Sequence, residues 1–534
     1  MMNFILDWHS YRFLPYERRL ALREVKTLTG SEPKLNRDNV TVLGTPTVEL
    51  NLERLTYFRR VRFNGTGVLV PLQAQLEATN AAKAFSPPNL FENADEGPRL
   101  RRQSTRYSVH GLHEYKGKFN PQIVRATANL LGIGLNGEAQ LLDPFCGSGT
   151  CLIEAAHMGW DAIGTDINPL AIFISNAKIQ ALKVPAAVLE NACRVLAARL
   201  VRHVEGLDLD RQFSDRTARS LAAKGKTQLP NESYLQRWFA PSVLAQLRVI
   251  SAEIDRIYDP CIRDIANVIL SDILREVSLQ DPADLRIRRR SNPQPNYPAV
   301  PLFVELLQQR IRNVLSAREL LGVIRGKQTA MLGDARRRIP GPHGRFDAVI
   351  TSPPYATALP YLDTQRLSLA LLGLLGPQEL RKVENEVIGN REISKSHRDR
   401  EERAIAEAAK DLPRTVIDLC TVTRKLATQP GNGFRRRNVP ALLLRYFRDM
   451  REVFKTVHGG VRPNGRFAMV VGPNRTTLSG QTVLIDTPQL LGSVAETVGW
   501  KVEEMIALDA YQRFDLHRQN SITTERLVVL KRSC

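Results

Sequence analysis

The chain has 534 residues, which is too long for one ordinary hydrophobic core. Of these residues 43% are hydrophobic and 24% are charged, a composition too apolar for a disordered protein. Its 75 lysines and arginines against 55 aspartates and glutamates give a formal net charge of +20, which favours a polyanionic partner such as DNA or RNA. Six cysteines without a Cys-x-x-Cys pair or a zinc-ligand spacing argue against disulfides and predict that no metal is bound.

No apolar run approaches the ~18 residues of a membrane span, and the first residues reach Asp7 and Arg12 without a signal-like apolar core. We therefore expect a soluble cytoplasmic protein with no membrane partner, associated with the nucleoid if its polyanion is DNA. Arginines form three local clusters, at residues 286–290, 336–338 and 435–437.

The N-terminal part of the chain differs in composition from the rest. Residues 1–82 mix short β-like pieces with helix-prone segments and predict a small α+β accessory domain whose role the sequence does not indicate. Residues 83–104 are rich in proline, asparagine and charge, which is typical of a linker.

Alternating strands and helices begin after the linker, in residues 105–184. A strand at 140–143, a helix at 150–158, a strand at 161–165 and a helix near 171–182 follow one another. This β-α-β-α order predicts half of a doubly wound parallel sheet.

The alternation is interrupted by residues 185–327, in which apolar residues recur at helical spacing and predict a helical insertion. Residues 328–534 resume the pattern, with strands expected at 330–333, 346–350, 466–471, 501–506 and 526–530 and a polar insertion at 378–438. Long insertions in a compact domain are often functional, and target recognition competes with a purely structural lid as the role of the first one.

A glycine turn between the first strand and helix is the clearest binding motif. Gly147 and Gly149 have no Cβ and allow the backbone to approach a ligand, while Asp143 precedes them at the strand end. Asp166 ends the next strand, where a carboxylate can accept hydrogen bonds from ribose hydroxyls. The dinucleotide fingerprint would need a third glycine where this chain has Leu152.

The stretch 351–355, Thr-Ser-Pro-Pro-Tyr, follows a strand that reads as buried. Pro353 and Pro354 stiffen the turn and leave its carbonyls free to accept, Ser352 adds a hydroxyl acceptor and Tyr355 an aromatic face. Together these groups form a cradle for a planar ring that bears an exocyclic amine, which is the description of a nucleobase.

With these motifs, residues from about 107 to 532 resemble the S-adenosylmethionine-dependent amino-group DNA methyltransferases of the Ser-Pro-Pro-Tyr type. The resemblance implies a class I methyltransferase fold, Rossmann-like and doubly wound, with S-adenosylmethionine as cofactor. The glycine turn resembles the motif that binds the methyl donor, and residues 113–121 resemble the motif that often precedes it and contacts the methionine end of the donor. Residues 332–335 match the place where an acidic residue contacts the donor's adenine. Residues 460–465 resemble a turn late in the fold. The implied cofactor-binding residues are Lys118, Phe119, Asp143, Phe145, Gly147, Gly149, Thr150, Asp166 and Asp334, and the implied catalytic residues are Ser352, Pro353, Pro354 and Tyr355.

In this family serine before Pro-Pro usually accompanies methylation of cytosine N4, and aspartate or asparagine that of adenine N6. The resemblance thus implies site-specific methylation of cytosine N4 in duplex DNA by direct in-line attack of a flipped base, without a cysteine nucleophile, and a possible place in restriction-modification or defence. Adenine N6, an RNA amino-methyltransferase and a decayed, purely DNA-binding fold stay open as alternatives. Weaker candidates for contacts in the site or to nucleic acid are Tyr361, Asp363, Arg366, His110, His113, Arg513, His517 and Arg518.

Overall fold

The N-terminal unit is a five-stranded antiparallel sheet covered by a long helix. The computed structural model describes residues 2–81, 103–204, 228–281, 288–292, 297–356, 362–407, 409–509 and 524–533, and the linker predicted at 83–104 lies almost entirely outside them. The elements of this unit are β1 (Met2–Trp8), α1 (Pro15–Thr29), β2 (Lys34–Leu35), β3 (Asn39–Gly44), α2 (Glu49–Leu52), β4 (Phe58–Phe63), β5 (Gly67–Leu69) and α3 (Leu72–Ala81). The sheet order is β2-β3-β1-β4-β5, as expected for a small α+β unit.

The second sheet begins after a helix and continues through two strand–helix units. These elements are α4 (Pro121–Leu130), β6 (Gln140–Asp143), α5 (Thr150–His157), β7 (Asp161–Asp166) and α6 (Pro169–Lys183). Asn120 and Asn168 precede α4 and α6, and each side chain accepts a hydrogen bond from the second backbone N–H of its helix, with proline at the first helical position. The cap and the fixed φ of proline explain why both helices begin at these residues.

Between α6 and the next strand of the sheet, the described part of the chain is mainly helical, with one isolated antiparallel bridge between Gln280 and Arg289. The helices are α7 (Ala186–Val204), α8 (Glu232–Leu235), α9 (Pro241–Asp255), α10 (Pro260–Val277) and α11 (Ala299–Leu321). Their buried apolar residues join one continuous core with the N-terminal unit and with α5 and α6. The insertion therefore packs on the methyltransferase-like sheet as an extra helical layer.

The remaining elements complete the sheet and add a second, shorter group of helices. They are β8 (Gln328–Leu332), β9 (Phe346–Thr351), α12 (Arg366–Leu371), α13 (Pro377–Glu386), α14 (Lys395–Ala406), α15 (Arg414–Ala427), α16 (Phe434–Arg437), α17 (Val439–Gly460), β10 (Val461–Val471), β11 (Asn474–Leu478), β12 (Gln481–Ile485), α18 (Thr487–Glu496), β13 (Trp500–Asp509) and β14 (Thr524–Arg532).

The seven-stranded sheet has the order β8-β7-β6-β9-β10-β14-β13, which is 3-2-1-4-5-7-6 counted along the chain within the sheet. Strands β8, β7, β6, β9 and β10 pair in parallel, whereas β14 runs antiparallel to both β10 and β13. A reversed seventh strand inserted beside the fifth distinguishes this sheet from the 3-2-1-4-5-6 order of dinucleotide-binding folds. The expected class I methyltransferase fold is confirmed.

Both faces of this sheet are covered, as its central strand illustrates. In β9, Val349 packs into one apolar cluster while its neighbours Ala348 and Ile350 pack into the other. Alternate side chains point to opposite faces of a strand, so a strand buried on both faces reads as a continuous apolar run. This explains why β9 was predictable from its sequence.

One predicted turn is wrong. Residues 460–465 were expected to form a turn before an apolar strand, but Gly460 ends α17 and residues 461–465 belong to β10, whose pairing with β9 is irregular between Val461 and Arg466. Asn464 has a positive φ of 62°, so the turn-like composition is accommodated as a bulge inside the strand. Among the described residues no single helix has the length and apolar character to cross a bilayer, although α6 and α7, bent by 118°, meet both criteria as a pair.

Candidate active site

A cavity of about 360 Å³ opens at the carboxyl ends of the central strands. The strand order reverses between β6 and β9, and ligands of open α/β sheets bind in the crevice at such a switch point. The ends of these two strands are joined directly, because the Thr351 hydroxyl donates to Asp143 Oδ1 at 2.6 Å. The cavity is lined by residues 115–120, Ile123, Pro144, Phe145, Gly147, residues 166–168, residues 333–335, residues 352–355, Leu362, residues 386–388, Val470 and Glu525.

Asp166 organises the glycine turn. Its Oδ2 accepts the Gly147 N–H at 3.0 Å and its Oδ1 accepts the Asn168 N–H at 2.9 Å. Burial raises the pKa of Asp166 to about 6, against the opposing effect of these backbone hydrogen bonds. A carboxylate oxygen can accept more than one hydrogen bond, so Asp166, which lines the cavity, keeps capacity for a pair of ligand hydroxyls.

The two glycines of the turn have different surroundings. Gly147 has φ +48° and lines the cavity beside Tyr115. Gly149 has φ +81°, and a Cβ added there would lie 2.9 Å from the Ser175 hydroxyl of α6. Gly149 thus lies outside the cavity lining and brings α5 close to α6, while Thr150 is buried as the first residue of α5.

Asp143 lies beneath the cavity and does not line it. Besides the Thr351 hydroxyl, its Oδ1 accepts the Phe145 N–H at 3.1 Å. Burial raises the pKa of Asp143 to about 6. Its two hydrogen bonds link the donor turn to the start of the Ser-Pro-Pro-Tyr turn.

The segment 115–120 forms one wall of the cavity, with Tyr115 beside the glycine turn. Lys118 donates from Nζ to the carbonyls of Thr105 and His110 at 2.7 and 3.2 Å, and burial lowers the pKa of this ammonium. The ammonium therefore holds the segment in place. Phe119 lines the cavity beside it.

Asp334 lines the cavity, but its carboxylate is held by a neighbour. Arg336 donates to both oxygens, at 3.0 Å to Oδ1 and 2.8 Å to Oδ2, and also to Asp449 at 2.9 Å. Burial acts to raise the pKa of Asp334, but the bonds from Arg336 hold it below its ordinary value. Arg336, from the arginine cluster at residues 336–338, is thus an ion-pair partner within the fold.

The Ser-Pro-Pro-Tyr turn is fixed by three long-range hydrogen bonds. The Ser352 hydroxyl donates to the Val470 carbonyl at 3.2 Å, and the Tyr446 hydroxyl donates to the Pro354 carbonyl at 3.0 Å. The Tyr355 hydroxyl donates to Glu525 Oε1 at 2.5 Å. Because the Ser352 proton is committed to Val470, its oxygen presents lone pairs to the cavity and acts as an acceptor.

Sequence reasoning missed several residues of this site. Val470 and Glu525 both line the cavity, and Tyr446 supports it from α17. They lie more than 90 positions from the turn they contact, and nothing in their local sequence marks them as its partners. Gly389 is a further contact, since a Cβ there would lie 2.7 Å from the Tyr355 carbonyl.

The weaker candidates that the structure describes, which are His110, His113, Asp363 and Arg366, take no part in the cavity lining. Arg366 pairs with Asp363 and, at 3.2 Å, with Glu384, so its charge is satisfied within the fold. His110 and His113 are buried. Tyr361, Arg513, His517 and Arg518 lie outside the described residues.

Cys146, in the donor turn, is buried, and burial raises the pKa of its thiol. A Cβ added to Gly164 of β7 would lie only 2.6 Å from the Cys146 Cβ, so Cys146 packs directly against this strand. A tight fit of this kind requires a small side chain.

His110, Glu154 and His157 approach one another closely enough to hold a metal ion. However, Glu154 also accepts from Arg125 at 2.8 Å and from the Tyr107 hydroxyl at 2.9 Å. A guanidinium at the same carboxylate disfavours a cation there, so we read this cluster as a buried hydrogen-bond network behind the donor turn.

Comparison with known proteins agrees with this geometry. Residues 112–230 match the family described as UPF0020, RMKL-like, methyltransferase domain. The chain carries a methyltransferase domain. The matched region includes the segment 115–120, the glycine turn and Asp166. It covers less than a quarter of the chain.

Individual relatives are distant or short. The type II methyltransferase M.MvaI of Kocuria varians is 24% identical over 303 residues, covering 54% of this chain and 63% of that protein. The tRNA (guanine(10)-N2)-dimethyltransferase of Methanothermobacter thermautotrophicus is 43% identical over 54 residues, covering 10% of this chain and 16% of that protein. A solved SAM-dependent methyltransferase from Methanosarcina mazei aligns with 74% of this chain and 93% of its own at 9% identity and a TM-score of 0.25. The chain thus spans less than two thirds of the length of these curated relatives.

The residues of the cavity fit S-adenosylmethionine. Asp166 offers a buried carboxylate for ribose hydroxyls, Gly147 leaves room for close approach, and Phe145 and Ile167 supply apolar surface for an adenine ring. With the fold and the matched domain, this makes S-adenosylmethionine the cofactor of the domain.

Proposed function

We propose that the chain transfers a methyl group from S-adenosylmethionine to the exocyclic amine of a nucleobase, and that cytosine N4 in duplex DNA is the acceptor. The observation that carries the proposal is the position of the Ser352 hydroxyl, which lines the same cavity as Asp166 and donates its own proton to Val470. An oxygen held as an acceptor at the end of the donor cavity is suited to bind an amine.

The Ser352 oxygen and the Pro353 carbonyl would accept the two hydrogens of the amine and direct its nitrogen lone pair at the methyl carbon. S-adenosylmethionine, when bound, supplies a methyl group on a sulfonium. As the nitrogen–carbon bond forms, the bond between the methyl carbon and sulfur would break and leave its electron pair on sulfur. Positive charge develops on nitrogen, where these two oxygens stabilise it until one hydrogen of the amine is lost to solvent as a proton. The rate gain comes from this stabilisation and from in-line orientation at ~3 Å, so no covalent enzyme intermediate is required.

Tyr355 is placed to stack on the acceptor ring. Its hydroxyl donates to Glu525 on β14, the strand between β10 and β13, and this bond fixes the ring plane. A base in a duplex cannot reach a cavity of this kind, so the proposal includes extrusion of the target base from the helix. Recognition of a specific DNA site, and a partner nuclease in restriction or defence, would follow from the same assignment.

The choice of cytosine rests on serine at position 352, whereas the type II methyltransferases among the relatives support DNA as the substrate without indicating the base. Adenine N6 is the alternative within DNA. A short match to a protein named as a tRNA guanine-N2 dimethyltransferase favours RNA as a second candidate, since that acceptor is also an exocyclic amine.

The test is transfer of tritiated methyl from S-adenosylmethionine to duplex DNA, denatured DNA and bulk tRNA in parallel. The proposal expects transfer to the duplex at least as fast as to the single strand, with little to tRNA. Labelling of tRNA alone would reject the DNA assignment, and the absence of any labelled product would reject methyl transfer to nucleic acid.

A further inference from the structure

The strands β11 and β12 form a two-stranded antiparallel ribbon that belongs to neither larger sheet. Its register places Arg475 opposite Leu484 and Thr477 opposite Thr482, and all four side chains are exposed. Leu478, on the alternate face, is fully buried. Since alternate residues share a face, the ribbon has one packed face and one free face, here called the free ribbon face, formed by Arg475, Thr477, Thr482 and Leu484.

The packed face is attached firmly to α15 and to the loop that follows it. Leu478 packs against Leu426 and Ala427 in a small apolar cluster. At the ribbon's turn, the buried Asn432 donates from its amide to the Ser479 hydroxyl at 2.8 Å and accepts the Ser479 N–H at 3.0 Å. The ribbon is therefore held at both its apolar face and its tip.

The ribbon begins beside the Ser-Pro-Pro-Tyr turn. Asn474, the first residue of β11, donates from its side chain to the Ala356 carbonyl at 2.5 Å. Ala356 directly follows Tyr355, whose ring lines the cavity. A macromolecule that contacts the free ribbon face thus passes the acceptor end of the site.

A second exposed feature adjoins the ribbon through Asn432. The short helix α16 presents Phe434, which is 68% exposed, and three exposed arginines, 435–437, here called the basic turn. Arg437 donates from Nε to the Asn432 carbonyl at 3.0 Å, which ties the basic turn to the ribbon tip. None of these arginines forms an ion pair with a described residue, in contrast to Arg336.

We propose that the free ribbon face enters the major groove of duplex DNA while the basic turn contacts the adjoining phosphates. This inference rests on the proposed function and names the surface that delivers the duplex to the site. The major groove of B-form DNA, about 12 Å wide, admits a two-stranded ribbon, whereas the major groove of A-form RNA is too deep and narrow. Arg475 and the two threonines offer hydrogen bonds to base edges, and Leu484 offers apolar contact to a thymine methyl.

The experiment measures binding of a fluorescein-labelled DNA duplex of about 30 base pairs by anisotropy over a series of salt concentrations, without methyl transfer. The double variant Arg435→Ala/Arg436→Ala should bind more weakly, and its slope of log affinity against log salt should be shallower by about 2, since each phosphate contact contributes about 0.9. The matched control is Lys34→Ala/Arg37→Ala, which removes two exposed, unpaired cations from the N-terminal sheet and should keep the wild-type slope. Calorimetric S-adenosylmethionine binding checks that each variant is folded.

The ribbon itself is tested by Arg475→Ala, which should lower duplex affinity about tenfold and relax the sequence context of methylated positions in genomic DNA. The proposal would be overturned if the Arg435→Ala/Arg436→Ala variant kept the wild-type slope of log affinity against log salt, or if the control variant changed that slope by the same amount. So would binding of A-form duplex RNA of the same sequence as tightly as DNA. If the wild-type chain methylates DNA but the variants bind duplex DNA as tightly as wild type, only this surface is rejected. If the chain binds DNA with the expected salt dependence but transfers no methyl group, only the proposed function is rejected.

Discussion

Replacing Ser352 with alanine tests how the site binds its acceptor. The substitution removes the oxygen that would accept from the amine, together with a 3.2 Å hydrogen bond to Val470. The first loss affects a hydrogen bond to a group that becomes charged, which is typically ~1.5–3 kcal/mol, whereas the second is a neutral bond of about 1 kcal/mol. Since ~1.4 kcal/mol corresponds to a tenfold change in rate, kcat should fall roughly 10- to 150-fold.

The assay is single-turnover transfer of tritiated methyl at saturating S-adenosylmethionine and DNA, with cofactor affinity measured by calorimetry. Cofactor affinity should stay within about twofold of wild type, because the Asp166 contacts are untouched. Ser368→Ala is the matched control, since its hydroxyl donates to the Ser271 carbonyl at 3.3 Å away from the cavity lining. If Ser352→Ala abolished cofactor binding, or left kcat unchanged, the assignment of its oxygen to the acceptor would be refuted.

Further predictions concern the cofactor, the stacking tyrosine and the glycine turn. Asp166→Ala should weaken S-adenosylmethionine binding at least tenfold by calorimetry, because it removes the acceptor for ribose hydroxyls and leaves two backbone N–H groups unpaired. In the wild type, burial raises the pKa of Asp166 to about 6; since the ionised form accepts the hydroxyls, cofactor affinity should be full above pH 7 and fall as the pH drops through 6. Tyr355→Phe should raise KM for DNA a few-fold with cofactor affinity unchanged, because the ring remains but loses its anchor to Glu525. Gly149→Ala should lower Tm more than Gly137→Ala, since both glycines have positive φ but only Gly149 would place its Cβ 2.9 Å from a neighbour.

The sheet and the donor half of the site were predictable because their signals are local. The centre of β9, residues 348–350, is an apolar run, and Asp166 ends a strand directly after a glycine turn and helix, so their places follow from the sheet topology. The carboxyl ends of parallel strands lie at the same edge of a sheet. Gly147 and Ser352 each follow such an end, so they could be expected in one cavity, and both line it in the structure.

The contacts that set the chemistry were not predictable, because they join distant segments. The partners of Tyr355 and Ser352 come from β14 and β10, and no pattern near Glu525 or Val470 distinguishes them from other strand residues. The ribbon β11–β12 was missed for a different reason. Its packed face includes the polar residues Asn474, Thr476 and Gln481, and its exposed face includes Leu484, so the apolar alternation that identifies a strand is weak in it.

Asp334 illustrates how a motif can be placed correctly while its side chain is already bound. The residue lines the cavity as its motif suggested, yet Arg336 holds both carboxylate oxygens. An acidic residue followed two positions later by arginine gives no indication in the sequence of whether the two side chains pair or point apart.

The central claim, methyl transfer to an exocyclic amine, is tested most directly by identifying the methylated atom. The protein would be incubated with trideuteromethyl S-adenosylmethionine and genomic DNA, and the digested nucleosides separated by mass spectrometry. We predict the label in N4-methyldeoxycytidine. Label in N6-methyladenine alone would contradict the choice of cytosine, and label on a ring carbon, or on no nucleoside, would contradict amino-group transfer itself.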